Sequence, residues 1–337
     1  MRKLIVLGLH AGPALGIRKP ELRRLRRAVI LAALAGALAI LIGVPQAAAT
    51  YPGHDGLIAF SALAGDQSQI YTIRPNGHDL RQVTDVDGDA VFPDWSLDGR
   101  RIVFELDHPE SHGKPFCSIE VIDAEGGDPV DLTGDRNGCE GSPSFTPDGR
   151  RVMFVRFDDA TFEEAIWNMD LSGGDRHEIT TAGNVDPQVS PDGRKLSFVR
   201  DTDAGKSLWT ANVDGSGLLQ LMPPAFDIAT KQDWAPDGAR IVFSDNANKL
   251  DQPANIATIR PDGTGLRYLT DFRSADLRAY AGGYSPDGNW IVFRLEDHGS
   301  FGLYRIRPDG GAIHPILRLS SFKPRFIDWG PRTQAGD

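Results

Sequence analysis

Cysteine is nearly missing. Cys117 and Cys139 are the only two in 337 residues, which excludes a Cys-x-x-Cys redox centre and a cysteine-rich zinc module. No Gly-x-Ser-x-Gly elbow, no phosphate loop and no Gly-x-Gly-x-x-Gly fingerprint is found, so the familiar sequence marks of serine hydrolases, nucleotide hydrolases and dinucleotide enzymes are absent. Basic residues are scarce beyond the first 49 positions. That leader holds eight of the 36 basic residues and one of the 46 acids, leaving 28 bases against 45 acids, a net charge of −17. Such a surplus repels nucleic acid.

The leader has its own pattern. Residues 1–27 end in Arg23-Arg24-Leu25-Arg26-Arg27, an uncharged run follows from Ala28 to Val44, and Ala47-x-Ala49 fits a signal-peptidase site. We expect residues 1–49 to be a signal peptide or an N-terminal membrane anchor, because 17 apolar residues is the lower limit for a span. The protein is then exported, whether periplasmic, secreted or tethered to the outer side of the cytoplasmic membrane. Any membrane contact is through an uncleaved leader.

What the remaining chain has in abundance is one repeated stretch, shown best by Ser190-Pro191-Asp192-Gly193-Arg194-Lys195-Leu196-Ser197-Phe198. Its glycine returns as Gly56, Gly99, Gly149, Gly193, Gly238 and Gly288, at intervals of 43 to 50 residues. Phe60, Phe104, Phe154, Phe198, Phe243 and Phe293 follow it by five residues, or four in the first copy. Proline presets the second position of a type I turn, aspartate suits the third, and glycine accepts the left-handed fourth. This is hairpin chemistry. A run ending in Trp95, Phe145, Val189, Trp234, Tyr284 or Trp329 leads to the hairpin position, Ile-Val-Phe or a relative follows, and two further short runs complete each copy. Apolar pairs three apart, such as Ile119/Ile122, resemble helix spacing, yet turn-bounded runs of four residues are too short for a helix.

Four short strands per repeat, six times over, predict an all-β, six-bladed propeller over residues 50–337. The first copy lacks an innermost strand and the chain ends with an extra one, Phe326 to Pro331, whose Trp-Gly-Pro echoes Trp-Ser-Leu and Trp-Ala-Pro. We expect it to complete blade one and close the ring.

The pattern Pro-x-Trp-Ser-x-Asp-Gly, Arg-x-Ile-x-Phe, Ile-x-x-Ile-x-Pro-Asp-Gly and Leu-Thr resembles the TolB-like, WD-repeat-like propeller of bacterial exported proteins, over roughly residues 53–332. The resemblance implies a propeller and a protein or peptide partner, with a cell-envelope component in view. It does not by itself define a function.

The expected sites are few. Asp94, Asp233 and Asp328 precede tryptophans on innermost strands, so with Gln188 they are positioned to gather in the channel and bind a cation or a peptide amine. The competing reading has each one capping local amides. Asp85, Asp87 and Asp89 alternate like the start of a calcium loop, but Ala90 and Ser96 break the pattern where glycine and glutamate are needed. His108 and His112 offer half of a zinc site. Cys117 and Cys139 fall at one end of the second blade, and an oxidising compartment favours their disulfide. Loops at that end collect acids such as Asp107, Asp158, Asp201 and Asp251 against fewer bases such as Arg278, Lys323 and Arg325, which predicts an acidic face. The resulting expectation is a non-enzymatic binding module without cofactor, calcium apart. Its alternative is a polysaccharide lyase or hydrolase with metal-held carboxylates in the channel.

Overall fold

The computed structural model describes residues 53–333 apart from 112–113, 135–137, 159–162 and 182. The expected leader therefore lies outside the described residues. Among the described residues, no helix is long and apolar enough to cross a membrane.

The hairpin forms as its chemistry demands. Gly193 takes φ +70° and donates its N–H to the Ser190 carbonyl at 2.8 Å, while the Ser190 amide donates to the Lys195 carbonyl at 2.8 Å. The Asp192 carboxylate accepts from the Ser190 hydroxyl at 2.7 Å and the Arg194 amide at 3.1 Å. Partial burial alone would raise the Asp192 pKa, but these donors hold it below the usual value. The same net recurs at Ser96/Asp98, Thr146/Asp148 and Ser285/Asp287. Each turn is thus closed by its own side chains and needs no distant contact.

The product is an all-β propeller. Four separate four-stranded antiparallel sheets are present, and one eight-stranded sheet. The expectation of six separate sheets is thereby corrected: the second and third repeats share the large sheet. Their junction is one parallel bridge between Cys117 and Cys139. A disulfide joins these residues, with Cα atoms 4.4 Å apart. Cys139 opens the innermost strand of the third repeat, Cys139–Phe145, instead of sitting in a loop of the second, so the bond staples two neighbouring repeats edge to edge. Breaking it by Cys117→Ser and Cys139→Ser together should cost about 3 kcal/mol for a loop of this length. The check is the denaturant midpoint with and without reductant: reductant should shift the wild type and leave the double variant unmoved.

The C-terminal strand Arg325–Pro331 pairs antiparallel with Asp55–Ala64, placing Trp329 opposite Ile58 and Asp328 opposite Ala59. The first sheet therefore takes its innermost strand from the far end of the chain. The six repeat phenylalanines, from Phe60 to Phe293, are all fully buried, and with them Ile58, Ile102, Ile119 and Ile306 fill the spaces between sheets. Burying a side chain of this size is worth about 1.5–3 kcal/mol, so the repeated Phe is the main hydrophobic anchor of each repeat. A second repeated glycine sets how closely sheets approach. At Gly173, with φ +79°, an added Cβ would fall 1.8 Å from the Leu132 carbonyl oxygen of the preceding repeat. Only glycine fits there.

Candidate channel-mouth site

The innermost strands are Asp89–Trp95, Cys139–Phe145, Asn184–Val189, Asp233–Trp234, Leu277–Tyr284 and Arg325–Pro331. Each contacts the next, and the last contacts the first of them. Most carry a bulge three residues before the buried aromatic or apolar residue. There Phe92, Ser142, Asp186 and Phe326 adopt φ between 48° and 53°, although none is glycine. Bulges re-aim side chains, and left-handed backbone at such residues costs about 1–3 kcal/mol each. Two of the re-aimed rings meet: Phe92 stacks on Phe326 with centroids 3.7 Å apart. In the fifth repeat the equivalent position is Lys231.

Asp94, Asp233 and Asp328 all cap amides of a neighbouring strand, and Asp233 caps the adjacent Trp234 amide at 2.7 Å as well. Asp328 accepts from the Trp95 amide at 3.0 Å, Asp94 from the Phe145 amide at 2.9 Å, and Asp233 from the Tyr284 amide at 2.7 Å. Asp186 accepts from the Gln232 amide at 3.2 Å, and the Ser144 hydroxyl donates to the Pro187 carbonyl at 2.7 Å. These bonds link successive innermost strands, with Gln232 just before Asp233–Trp234, at five of the six junctions. At the equivalent place in the sixth repeat stands Gly283, whose absent Cβ leaves Asp233 Oδ2 at 3.0 Å and Asp328 Oδ1 at 3.4 Å from that point. The two carboxylates flank it. Gln188 takes part through its backbone, its carbonyl accepting from Trp234 Nε1 at 3.1 Å.

Sequence reasoning missed the centre of this group. Lys231 is 8 % exposed, and Asp328, Asp186, Asp94 and Asp233 all act on it. Burial pulls the ammonium pKa down, yet the four carboxylates outweigh it and hold the value above that of ordinary lysine. Burial, then the Asp328 charge, push Asp94 well above the carboxylate range. Asp186 rises to about 7 through burial, against the opposing pull of Lys231 and the Gln232 amide. The signal was there in the repeat alignment, since Asp186 and Lys231 occupy the bulge position filled by Phe92 and Phe326 elsewhere.

Above Lys231 opens a pocket of about 340 Å³. It is lined by loops that the sequence assigns to the acidic face, but the charged residues that line it are Lys206, Lys231, Arg294, Lys323 and Arg325. The acidic face therefore has a basic mouth, which corrects the expectation at this point. The acids nearby are consumed by structure. Asp227 accepts from the Asn248 amide at 3.0 Å, and Asp245 from the Tyr268 hydroxyl at 2.7 Å. Arg278, 3 % exposed, donates to the carbonyls of Asn246, Ala247, Lys249 and Gln252 at 2.6–2.8 Å and so shapes a loop at the pocket.

Comparison with known proteins decides the family. The model of the TolB beta propeller domain matches residues 37–231. The chain belongs to this family. An uncharacterized protein of Agrobacterium fabrum is 26 % identical over 255 residues, 71 % of this chain and 78 % of its own length. The crystal structure of TolB from Acinetobacter baumannii superposes with a TM-score of 0.64 at 18 % identity, covering 82 % of this chain and 67 % of that one. A putative TolB from Agrobacterium tumefaciens gives 0.58 at 16 % identity, covering 82 % and 99 %. These structural likenesses establish the fold.

The remaining expected ligands of this TolB-type propeller are placed as follows. Asp87 accepts from Gln67 Nε2 at 3.1 Å and Asp89 from the Ser68 amide at 2.5 Å, and the ligand atoms of Asp85, Asp87 and Asp89 do not gather within 4.8 Å of one another. His108 Nε2 lies 2.9 Å from the Ser118 hydroxyl, and His112 is outside the described residues. Among the described residues, the one group of three ligand types that close together is Glu105, Cys117 and Cys139, and its sulfurs are bonded to each other.

Proposed function

We propose that this TolB-family chain is an exported, non-catalytic binding module: a ring of six blades, closed by its C-terminal strand, that takes a protein or peptide partner of the cell envelope at the channel mouth. The observation that carries this reading is the row of bulged innermost strands. Phe92, Ser142, Asp186 and Phe326, none of them glycine, are held at positive φ, the Phe92 and Phe326 rings stack on each other, and Phe326 lines an open pocket of about 340 Å³. Strain of this kind persists where a surface clamps a ligand. The Phe92 and Phe326 pair supplies an aromatic anchor of the type that dominates protein interfaces. The pairing of Arg325–Pro331 with Asp55–Ala64 supports closure, and Arg23 to Ala49 supports export.

The test changes charge and keeps the inter-strand bonds. In the triple variant Asp94→Asn, Asp233→Asn, Asp328→Asn, each amide oxygen still accepts the neighbouring backbone N–H, but Lys231 loses three of the four carboxylates that act on it, so retention is compared well below the variant's own melting temperature. Wild-type protein should retain a partner from solubilised cell envelope that the triple variant retains at least about tenfold more weakly, a loss of 1.4 kcal/mol. Equal retention by both proteins refutes a role for the channel acids.

A further inference from the structure

The basic pocket over Lys231 contains more positive charge than the protein itself neutralises. Lys206 Nζ lies 3.4 Å from Asp201, and Lys231 is answered by four aspartates. The other three cations are different. Arg294 is 9 % exposed, its Nε is buried without a hydrogen-bond partner, and its nearest carboxylate, Glu296, stands at 3.8 Å, beyond hydrogen-bond distance. Lys323 and Arg325 make no ion pair among the described residues and lie instead over the rings of Phe301 and Phe326, each at 4.7 Å. Burial and the nearby charges of Arg294 and Arg325 together hold the Lys323 ammonium below its usual pKa. Tyr280 hydrogen-bonds to the same side chain, so Nε is the one buried donor of this guanidinium left unsatisfied, and a buried donor left unmade costs about 1–3 kcal/mol.

The shape favours one kind of anion. Stacking over Tyr280 at 4.0 Å fixes the plane of Arg294, and a fixed guanidinium plane prefers a planar oxyanion that it can hold with two parallel bonds. The aspartates around Lys231 lie just beneath, so their field penalises a second negative charge on the ligand. About 340 Å³ is at the lower end of small-ligand pockets, enough for an acid with a short side chain or peptide tail. We propose that this pocket is a carboxylate-binding site, with Arg294 as the fork and Lys323 and Arg325 closing on the anion from the lip. It takes a small acid or a peptide C-terminus alike; the peptide case rests on the partner reading above, and binding of a small acid by the purified chain is measured without it.

Isothermal titration of the purified chain with N-acetyl-alanyl-alanine, its C-terminal amide and inorganic phosphate tests this. The free acid should saturate one site with an affinity that falls as salt rises, the amide should show no heat of binding, and phosphate should bind more weakly than the acid. Arg294→Gln should weaken the acid by about tenfold or more, the size of one charge-assisted hydrogen bond. Because Arg294 is buried, Lys323→Gln at the exposed lip provides a second variant, with an expected loss of about three- to tenfold. Equal binding of acid and amide, preference for phosphate, no saturable binding of the acid, or an unchanged affinity in Lys323→Gln overturns the assignment. Acetate tested in parallel separates the two sources: if it matches the dipeptide, the site reads a small acid alone, and if it binds more weakly, the peptide tail contributes.

Discussion

A chain shortened by residues 325–337 loses its cooperative thermal transition and associates through the exposed edge of its first sheet. The strand Arg325–Pro331 carries Ile327 and Trp329, each 2 % exposed, and removing two such buried side chains costs about 2–5 kcal/mol apiece. It also supplies Asp328, the acceptor for the Trp95 amide, and leaves that donor buried and unmade. Gly330 lies where an added Cβ would come within 2.4 Å of the Trp95 ring, so the terminal strand presses directly on the second repeat. Total stabilities of domains are about 5–15 kcal/mol, and these losses consume most of that range. The freed edge of Asp55–Ala64 then presents unpaired amides and carbonyls to another chain. Circular dichroism melting with size-exclusion chromatography reads both effects. A truncated monomer that melts like the full chain would show that the terminal strand is dispensable.

Replacing Lys231 with methionine destabilises the protein by about 3–5 kcal/mol near neutral pH, because the aspartates around it then face one another without a cation. The loss depends on pH in a defined direction. Asp186 has a folded-state pKa of about 7, above the unfolded value of 3.8, so the folded protein binds more protons and the stability this contributes is present below 3.8 and lost as pH rises through about 7. Asp94 is raised in the same sense. Lys231 itself sits above its ordinary 10.5, so its contribution is complete below that value and disappears only at strongly alkaline pH. Without the ammonium both aspartates move higher still. The deficit of Lys231→Met should therefore be smaller at pH 5, where protonation relieves the repulsion, than at pH 8. Urea midpoints of wild type and variant at these two pH values measure it. A loss below about 1 kcal/mol, or one equal at both pH values, would mean that Lys231 is not the counter-ion of this group.

Much of the fold was legible because its determinants are local. The turn at Ser190-Pro191-Asp192-Gly193 closes through bonds among its own residues, and the same short pattern marks every repeat whatever lies around it. The repeat phenylalanines and the spare terminal strand followed from counting. The site was less legible. Asp94, Asp233 and Asp328 were found by their place before tryptophan, but their partners Trp95, Phe145 and Tyr284 belong to neighbouring strands that the sequence cannot set side by side. The disulfide was anticipated and its meaning was not, since whether Cys139 ends one repeat or opens the next depends on where pairing begins.

The sequence by itself determined the turns, the four-strand repeat, the strand that completes the first sheet and the family. Only the tertiary structure decided that Lys231 sits among four carboxylates, that Arg294 joins Lys323 and Arg325 in one pocket, and that a face rich in acids has a basic mouth. The physical reason is one of range. A turn is governed by torsions and bonds within four or five residues. The charge at a channel mouth is set instead by side chains from Lys206 to Arg325, spread over several repeats and brought together only when the sheets pack around one another.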